Sequence, residues 1–375
     1  MLLFGIVMIS LGSMLPHLVS KWNLSEIQAG YLTALLPAGI LAGSLFFGPV
    51  VDRFSYKYLL IGCAILIGLG LNGLASSVGL IYVHLGLFFA GFGGGAINGA
   101  TNALVADLSM KDPQKRSANL SFLGVFFGIG AIMTPSLLGV LGEWFSRDTI
   151  ISGIGSFVVI PSLFFASIRF PLPKQPQGFP LKTGLRMAGE IPLLLLGMIL
   201  FFQSGWEGII SNWSTIFLEE IAGRSPDNAL FSLSLFVLSL TLTRLVLVPL
   251  LKRVRPYQVL IGSLIVNYSG VLFFNLPIGS FSIYLALILV GIGSAAGFPV
   301  ILSYVAELYS SLSGTAFSLV FVIALLGNIL VNYTMGVISY LYGIEQYVKM
   351  LLAIQLFLTV FLIVALRNIS NKIKV

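Results

Sequence analysis

The sequence predicts an all-α integral membrane protein whose twelve transmembrane helices form two pseudo-symmetric six-helix bundles. Three observations carry that expectation. Of 375 residues, 57% are hydrophobic and only 9% charged, whereas a soluble globule needs about a quarter of its residues charged. The apolar residues gather into runs of membrane-spanning length, and the second half of the chain echoes the first at a fixed offset.

A helix needs about 20 apolar residues to cross roughly 30 Å of hydrocarbon. Runs of that kind lie at 2–20, 28–50, 58–77, 80–107, 118–142, 149–169, 191–216, 228–250, 257–276, 281–308, 313–340 and 346–367. They are continuous rather than alternating with period two, which excludes a membrane barrel. The first begins directly at Met1, with no basic residue before it and Lys21 after it, and reads as a first helix with a very short or truncated tail. The fourth carries the glycines 91, 93, 94 and 95; no strand precedes them, so they suit close helix packing rather than a nucleotide loop. Between the sixth and seventh runs, Arg169 to Glu190 holds four prolines and four basic residues, the composition of a linker. The expected organisation is therefore a bundle over 1–168, a cytoplasmic linker over 169–190, and a second bundle with a short cytoplasmic tail over 191–375.

Orientation follows from lysine and arginine. With the first run starting inside, fifteen of the basic residues fall on inner loops and tail and four on outer loops, leaving Arg244 within a run. Both termini are then cytoplasmic, in a multi-pass protein of the plasma (inner) membrane. The formal charge of +7 is thereby a topology signal and not a nucleic-acid face.

At an offset of 200, Gly91, Gly93, Ala96, Val105, Ala106 and Leu108 meet Gly291, Gly293, Ala296, Val305, Ala306 and Leu308, and Asp107 faces Glu307. Leu45, Pro49 and Arg53 meet Leu245, Pro249 and Arg253 at the same offset, and Ser121, Val125, Gly130 and Gly139 meet Ser318, Val322, Gly327 and Gly336 at 197. Six runs per half place both halves the same way up, as parallel repeats that rock about a shared interface.

Enzyme chemistry has little to stand on. The single Cys63 and the separated His17 and His84 give no metal-ligand spacing, and no serine-nucleophile or phosphate-loop motif occurs. No cofactor and no metal are expected. A polytopic enzyme or sensor stands as the alternative of a different class.

From Gly48 to Leu60 the chain reads GPVVDRFSYKYLL, which resembles the loop pattern G-x-L-A-D-R-x-G-R-K of the major facilitator superfamily. Gly48, Asp52, Arg53 and Lys57 match; Ser55 and Tyr56 stand where glycine and arginine are usual. The fifth run, GVFFGIGAIMTPSLLG with Pro135, is similar to the family's Gly/Pro-rich pattern. Within the family, GGGAINGATNALV, FFQSGWEGIISNW and AAGFPVILS look like the fucose/proton symporter branch of sugar permeases. That branch carries a glutamate where Asn98 stands and an aspartate in its first span that this chain lacks. The resemblance implies alternating access, a solute cavity lined by helices one, four, seven and ten, and gating roles for Gly48, Asp52, Arg53, Lys57 and Pro135.

Glu207 is the one acidic residue well inside a run. A charge there costs about 2.5–3.5 kcal/mol, so it faces a wet cavity, is protonated or has a partner; the alternative is an early helix end that leaves it at the outer rim. Gln203, Trp206 and Glu207 fall at i, i+3 and i+4 on one face, hydrogen-bonding groups beside an aromatic plate, which suits sugar hydroxyls and ring faces. Asn98 and Asn102 share a face of run four, as Asn328 and Asn332 do of run eleven; amides suit neutral polyols but serve equally as helix-to-helix glue. Phe298 and Pro299 stand at the repeat positions of Asn98 and Gly99, where proline bends a helix and frees a carbonyl for a ligand or gate. Arg244 lies about 12 Å from the inner end of its run and Glu207 about 24 Å from that of its own, so no direct pair is expected; Arg244 is expected to snorkel inward or satisfy carbonyls as a gating residue. His17 is expected to be packed and hydrogen-bonded.

The chain is accordingly expected to move a small polar solute, a sugar or polyol first, by alternating access. Glu207 is the candidate proton carrier, the lipid bilayer is the surrounding partner and the monomer is the working unit. Export of an amphipathic drug-like or lipid-like molecule is the alternative within transport.

Overall fold

The computed structural model describes residues 1–24, 26–109, 112–172, 186–224, 226–274 and 279–369. Most of the expected linker and the end of the tail lie outside them. The described residues are helical, without strands: α1 (Leu2–Trp22), α2 (Glu26–Arg53), α3 (Tyr56–Leu74), α4 (Leu80–Leu108), α5 (Pro113–Leu141), α6 (Arg147–Ser167), α7 (Ile191–Glu220), α8 (Pro226–Leu251), α9 (Pro256–Phe273), α10 (Gly279–Ser294), α11 (Gly297–Leu308), α12 (Ser313–Tyr342) and α13 (Tyr347–Ile369). Eleven helical stretches among them are long and apolar enough to cross a membrane, α10 and α11 together forming one; the apolar part of α1, Leu2–Leu15, is shorter. The expected runs therefore match the helices, except that the tenth is two helices rather than one.

Local chemistry sets the ends. Asn23 closes α1 in the left-handed conformation, φ 48°. Ser55 accepts from the Lys57 amide to cap α3, and Ser146 accepts from the Thr149 amide to cap α6, each satisfying a donor that the first helical turn leaves free. Ser55 thus has its own task at the loop position where the family pattern has glycine.

The chain divides into two compact units. The first comprises residues 1–104, 126–184 and 311–318. Here α3 packs along α6, and α2 lies so close to α4 that a side chain on Gly43 would strike the Phe92 carbonyl, and one on Gly95 the Ile40 carbonyl. The glycine run of α4 is indeed a packing surface.

The second unit comprises residues 105–125, 185–310 and 319–375. Its core gathers Trp206, Phe217, Leu287, Val290, Met335, Tyr347 and Leu351, with the Phe217 and Tyr347 rings stacked at 4.9 Å. Around it α7 packs on α8 and α13, and α10 on α8 and α9. Each unit thus contains a short segment from the other half of the sequence, 311–318 in the first and 105–125 in the second.

Candidate functional site

The second unit brings together the predicted polar group of α7. Gln203 donates from Nε2 to Glu207 Oε1 at 2.8 Å and to the Ser294 carbonyl at 3.1 Å. The Trp206 indole N–H donates to Ser294 Oγ at 2.9 Å. Ser294 is the last residue of α10, and α11 restarts at Gly297 after Ala295 and Ala296. Pro299, third in α11, has no N–H to bond the Ala295 carbonyl and its ring crowds that carbonyl, which ends the helix one turn upstream. The break exposes backbone acceptors inside the unit, and Gln203 takes one of them. Gly297 is required here, since a Cβ on it would lie 2.6 Å from Gln203 Cδ.

Burial divides the predicted residues. Gln203 is 3% exposed and Trp206 fully buried, so the indole packs in the core and holds Ser294 in place; its face is covered rather than open as a stacking plate. Glu207 and Phe298 are half-buried. A cavity of about 10 Å³ beside Gln203, Ser263 and Asn267 has room for about one water. Asn267 Oδ1, buried there, meets no donor among the described residues.

Arg244, on α8, is 8% exposed. Its NH1 points at the Gly124 carbonyl at 3.5 Å, Nε meets no acceptor among the described residues, and the side chain lies over Gly124, whose missing Cβ makes the space. Glu207 and Arg244 interact electrostatically without forming an ion pair. Arg244 approaches a carbonyl, as one of the two expectations had it, and does not snorkel to the rim, because the guanidinium stays inside the unit. The carbonyl of Arg244 itself accepts from Ser121 Oγ at 2.8 Å. Nearby, Arg116 NH1 donates to the Ser303 carbonyl at 2.8 Å and to Glu307 at 3.3 Å.

In the first unit, Asn102 donates to the Asn98 carbonyl at 2.8 Å and to Asn98 Oδ1 at 3.1 Å, so the pair does share a face. Asn328 and Asn332 of α12 instead bond α7, through the Ser204 carbonyl and Asn212, which is the glue reading. The motif loop is anchored: Asp52, 1% exposed, accepts from the Thr315 amide at 2.8 Å and its hydroxyl at 2.6 Å, at the start of α12, where the helix dipole favours an anion. Gly48 approaches the Gly314 backbone. Arg53 lies over the Phe54 ring at 5.0 Å, Lys57 is half-buried at the start of α3, and Pro135 is exposed on α5. His17 bonds Asp148 at 3.1 Å, and Lys21 bonds the same carboxylate at 2.8 Å.

Sequence reasoning missed Ser294, Thr315, Ser121 and the Arg116–Glu307 pair. The repeat gave a signal for Ser121, in its correspondence with Ser318, and for the Arg116–Glu307 pair, in the shared acidic position of Asp107 and Glu307; Ser294 and Thr315 had none. A groove of about 290 Å³ between α5 and α6, lined by residues such as Met133, Leu137, Phe145 and Phe157, is apolar and offers a polar solute nothing. Among the described residues, no three His, Cys, Asp or Glu side chains are placed to hold a metal ion.

Comparison with known proteins adds the family. The chain superposes on the Escherichia coli fucose:proton symporter FucP with a TM-score of 0.80 at 18% identity, covering 97% of this chain and 96% of that one. It is 27% identical over 287 residues to the 3-(3-hydroxy-phenyl)propionate transporter of Escherichia coli K12, covering 73% of this chain and 67% of that protein. It is 28% identical over 228 residues to the enterobactin exporter of Shigella boydii, covering 54% of this chain and 52% of that protein. The family model described as Major Facilitator Superfamily matches residues 1–332, and this multi-pass membrane protein belongs to that family of transporters.

Proposed function

We propose that the protein carries a small polar solute of the sugar or polyol class by alternating access, coupled to protons at Glu207. The observation that carries this reading is the placement of Glu207 beside Gln203 at the break between α10 and α11. Discontinuous helices supply the polar backbone from which membrane carriers build solute and ion sites. A carboxylate held there by an amide rather than a cation can take and release a proton, while half-buried Phe298 covers an apolar ring face. Asn98 and Asn102 are the proposed hydrogen-bonding groups on α4, and Gly48, Asp52, Arg53, Lys57, Pro135 and Pro299 the gating positions. Both termini are placed in the cytoplasm and the monomer is the functional unit.

The test uses purified protein in vesicles loaded with a pH-sensitive dye. Addition of the transported member of a panel of monosaccharides, polyols and organic acids moves protons in the wild type and not in Glu207→Gln. Unchanged proton movement in that variant removes Glu207 as the carrier. A second reading, export of an amphipathic molecule, rests on the kinship with the enterobactin exporter; active extrusion of a lipophilic dye, with no response to any polar solute, selects it.

A further inference from the structure

The proposed coupling leaves one charge of the second unit without a task. Arginine stays protonated in proteins, and Arg244 sits on a membrane helix at 8% exposure. A cation so placed normally has a carboxylate against it or several carbonyls around its fork. Arg244 has neither arrangement. Among the described residues its Nε meets no acceptor, NH1 reaches one carbonyl at the 3.5 Å limit, and no carboxylate ion-pairs with it. Glu207, the acidic group it does feel, is held by Gln203 instead.

The geometry keeps the fork in place without satisfying it. Ser121 Oγ bonds the Arg244 backbone carbonyl at 2.8 Å, fixing this turn of α8, and Gly124 gives the side chain its bed. A planar fork with donors to spare, preorganised and shielded from water, is the complement of a carboxylate.

We propose that Arg244 receives an anionic group of the transported solute, so that the substrate is a carboxylic acid, a sugar acid or another hydroxylated or aromatic acid, and not a neutral polyol. This rests on the alternating-access and Glu207 coupling reading above and replaces its sugar or polyol class with a carboxylate. It also gives the Glu207–Arg244 relation a purpose. Ionised Glu207 competes with the solute for the field of Arg244; protonated Glu207 leaves that field to the solute. Carboxylate and proton then travel together with no net charge, whichever side they enter from. Among the described residues, Arg244 and Gln203 are the groups whose charge or hydrogen bond acts on Glu207.

The test is a thermal-shift titration of the detergent-purified full chain with two matched pairs, gluconate against sorbitol and 3-phenylpropionate against 3-phenylpropanamide. A ligand of the folded state raises the melting temperature by mass action. At least one carboxylate is expected to stabilise the protein while its neutral partner does not. Arg244→Gln is expected to weaken that binding at least about tenfold, Arg244→Lys to retain part of it, and Arg253→Gln, which removes an exposed charge just beyond α8, to change nothing. Circular dichroism and the ligand-free melting temperature report whether Arg244→Gln is folded; if it is not, Arg244→Lys against wild type decides. Equal binding of the neutral partners, binding indifferent to both Arg244 variants, or no binding by either acid overturns the proposal. Glu207→Gln separates the two readings: it is expected to bind the acid at least as well as wild type while losing proton movement. Retained proton movement there, with binding still dependent on Arg244, sinks the coupling role and leaves the anion site standing.

Discussion

α4 and the α10–α11 pair are the same element of the repeat, aligned at Gly91/Gly291, Gly93/Gly293 and Ala106/Ala306, yet they end up different. α4 runs unbroken from Leu80 to Leu108, while its mate stops at Ser294 and restarts at Gly297. Among the many positions that differ, two neighbours lie just past the break, Asn98 against Phe298 and Gly99 against Pro299. In α4 the polar character is on a side chain and the backbone stays closed; in the pair, proline opens the backbone and the side chain turns apolar. A duplicated helix can thus supply polar groups in two ways, and the second leaves a carbonyl that Gln203 uses to hold Glu207.

The largest expected effect comes from exchanging those features. Gly99→Pro in α4 removes a helix hydrogen bond where Asn102 and the α2 contact depend on regular geometry, and is expected to cost about 3 kcal/mol or more, seen as loss of folded protein on size-exclusion chromatography. The reverse change, Pro299→Ala, restores the bond to the Ala295 carbonyl and closes the break. It is expected to leave the melting temperature within a few degrees but to cut solute-driven proton movement about tenfold, because in the closed helix the Phe298 amide takes the Ser294 carbonyl from Gln203 and Glu207 loses its support. Full transport by Pro299→Ala would show that the break is a packing accident.

A second asymmetry is charge. Asp52 and Lys252 are repeat mates, but Asp52 is buried and accepts two hydrogen bonds from Thr315, whereas Lys252 is exposed. Asp52→Asn is expected to destabilise the protein by about 1–3 kcal/mol, and Lys252→Gln by less than about 0.5 kcal/mol. Melting curves of the two variants in one detergent compare them directly; equal shifts would mean that the Thr315 contact contributes little.

How much of this was legible follows from what each feature depends on. Span number, the repeat and the Gly48–Lys57 loop are local or additive, because length, hydropathy and spacing decide them. The face shared by Gln203, Trp206 and Glu207 was legible for the same reason. Whether that face is open was not: the spacing that groups Trp206 with Glu207 says nothing of the core that covers the indole. Ser294 is one of three serines in an apolar run, and only the tertiary position of α7 gives it a role. His17 meets Asp148 across 131 residues of sequence, a pairing that no periodicity contains. Arg244 shows the limit most sharply. Its depth along the helix was readable, but its confinement over Gly124 depends on the absence of one methyl group on another helix.

Against these asymmetries stands one feature that the repeat preserves in three dimensions. Ser121 and Ser318 correspond at an offset of 197, and residues 44 and 244 at 200. Inside the second unit Ser121 donates to the carbonyl of residue 244, and inside the first Ser318 donates to the carbonyl of residue 44. Each unit therefore holds a segment of the other repeat by an equivalent hydrogen bond, although the side chains at those carbonyls are arginine in one case and serine in the other. A hydrogen bond between membrane helices is worth about 0.6–1 kcal/mol, so Ser121→Ala and Ser318→Ala are each expected to raise the population in which the segment has lifted away by about three- to fivefold. In a Cys63→Ala background, Ser303→Cys beneath the 105–125 segment and Ser44→Cys beneath 311–318 report that population as a maleimide labelling rate, since both positions are about 1% exposed when the segments are seated. Equal acceleration by the two alanines means that the pseudo-symmetry is energetic as well as geometric. Acceleration by one alone assigns the hold on the segments to that side and leaves the other bond a relic of duplication.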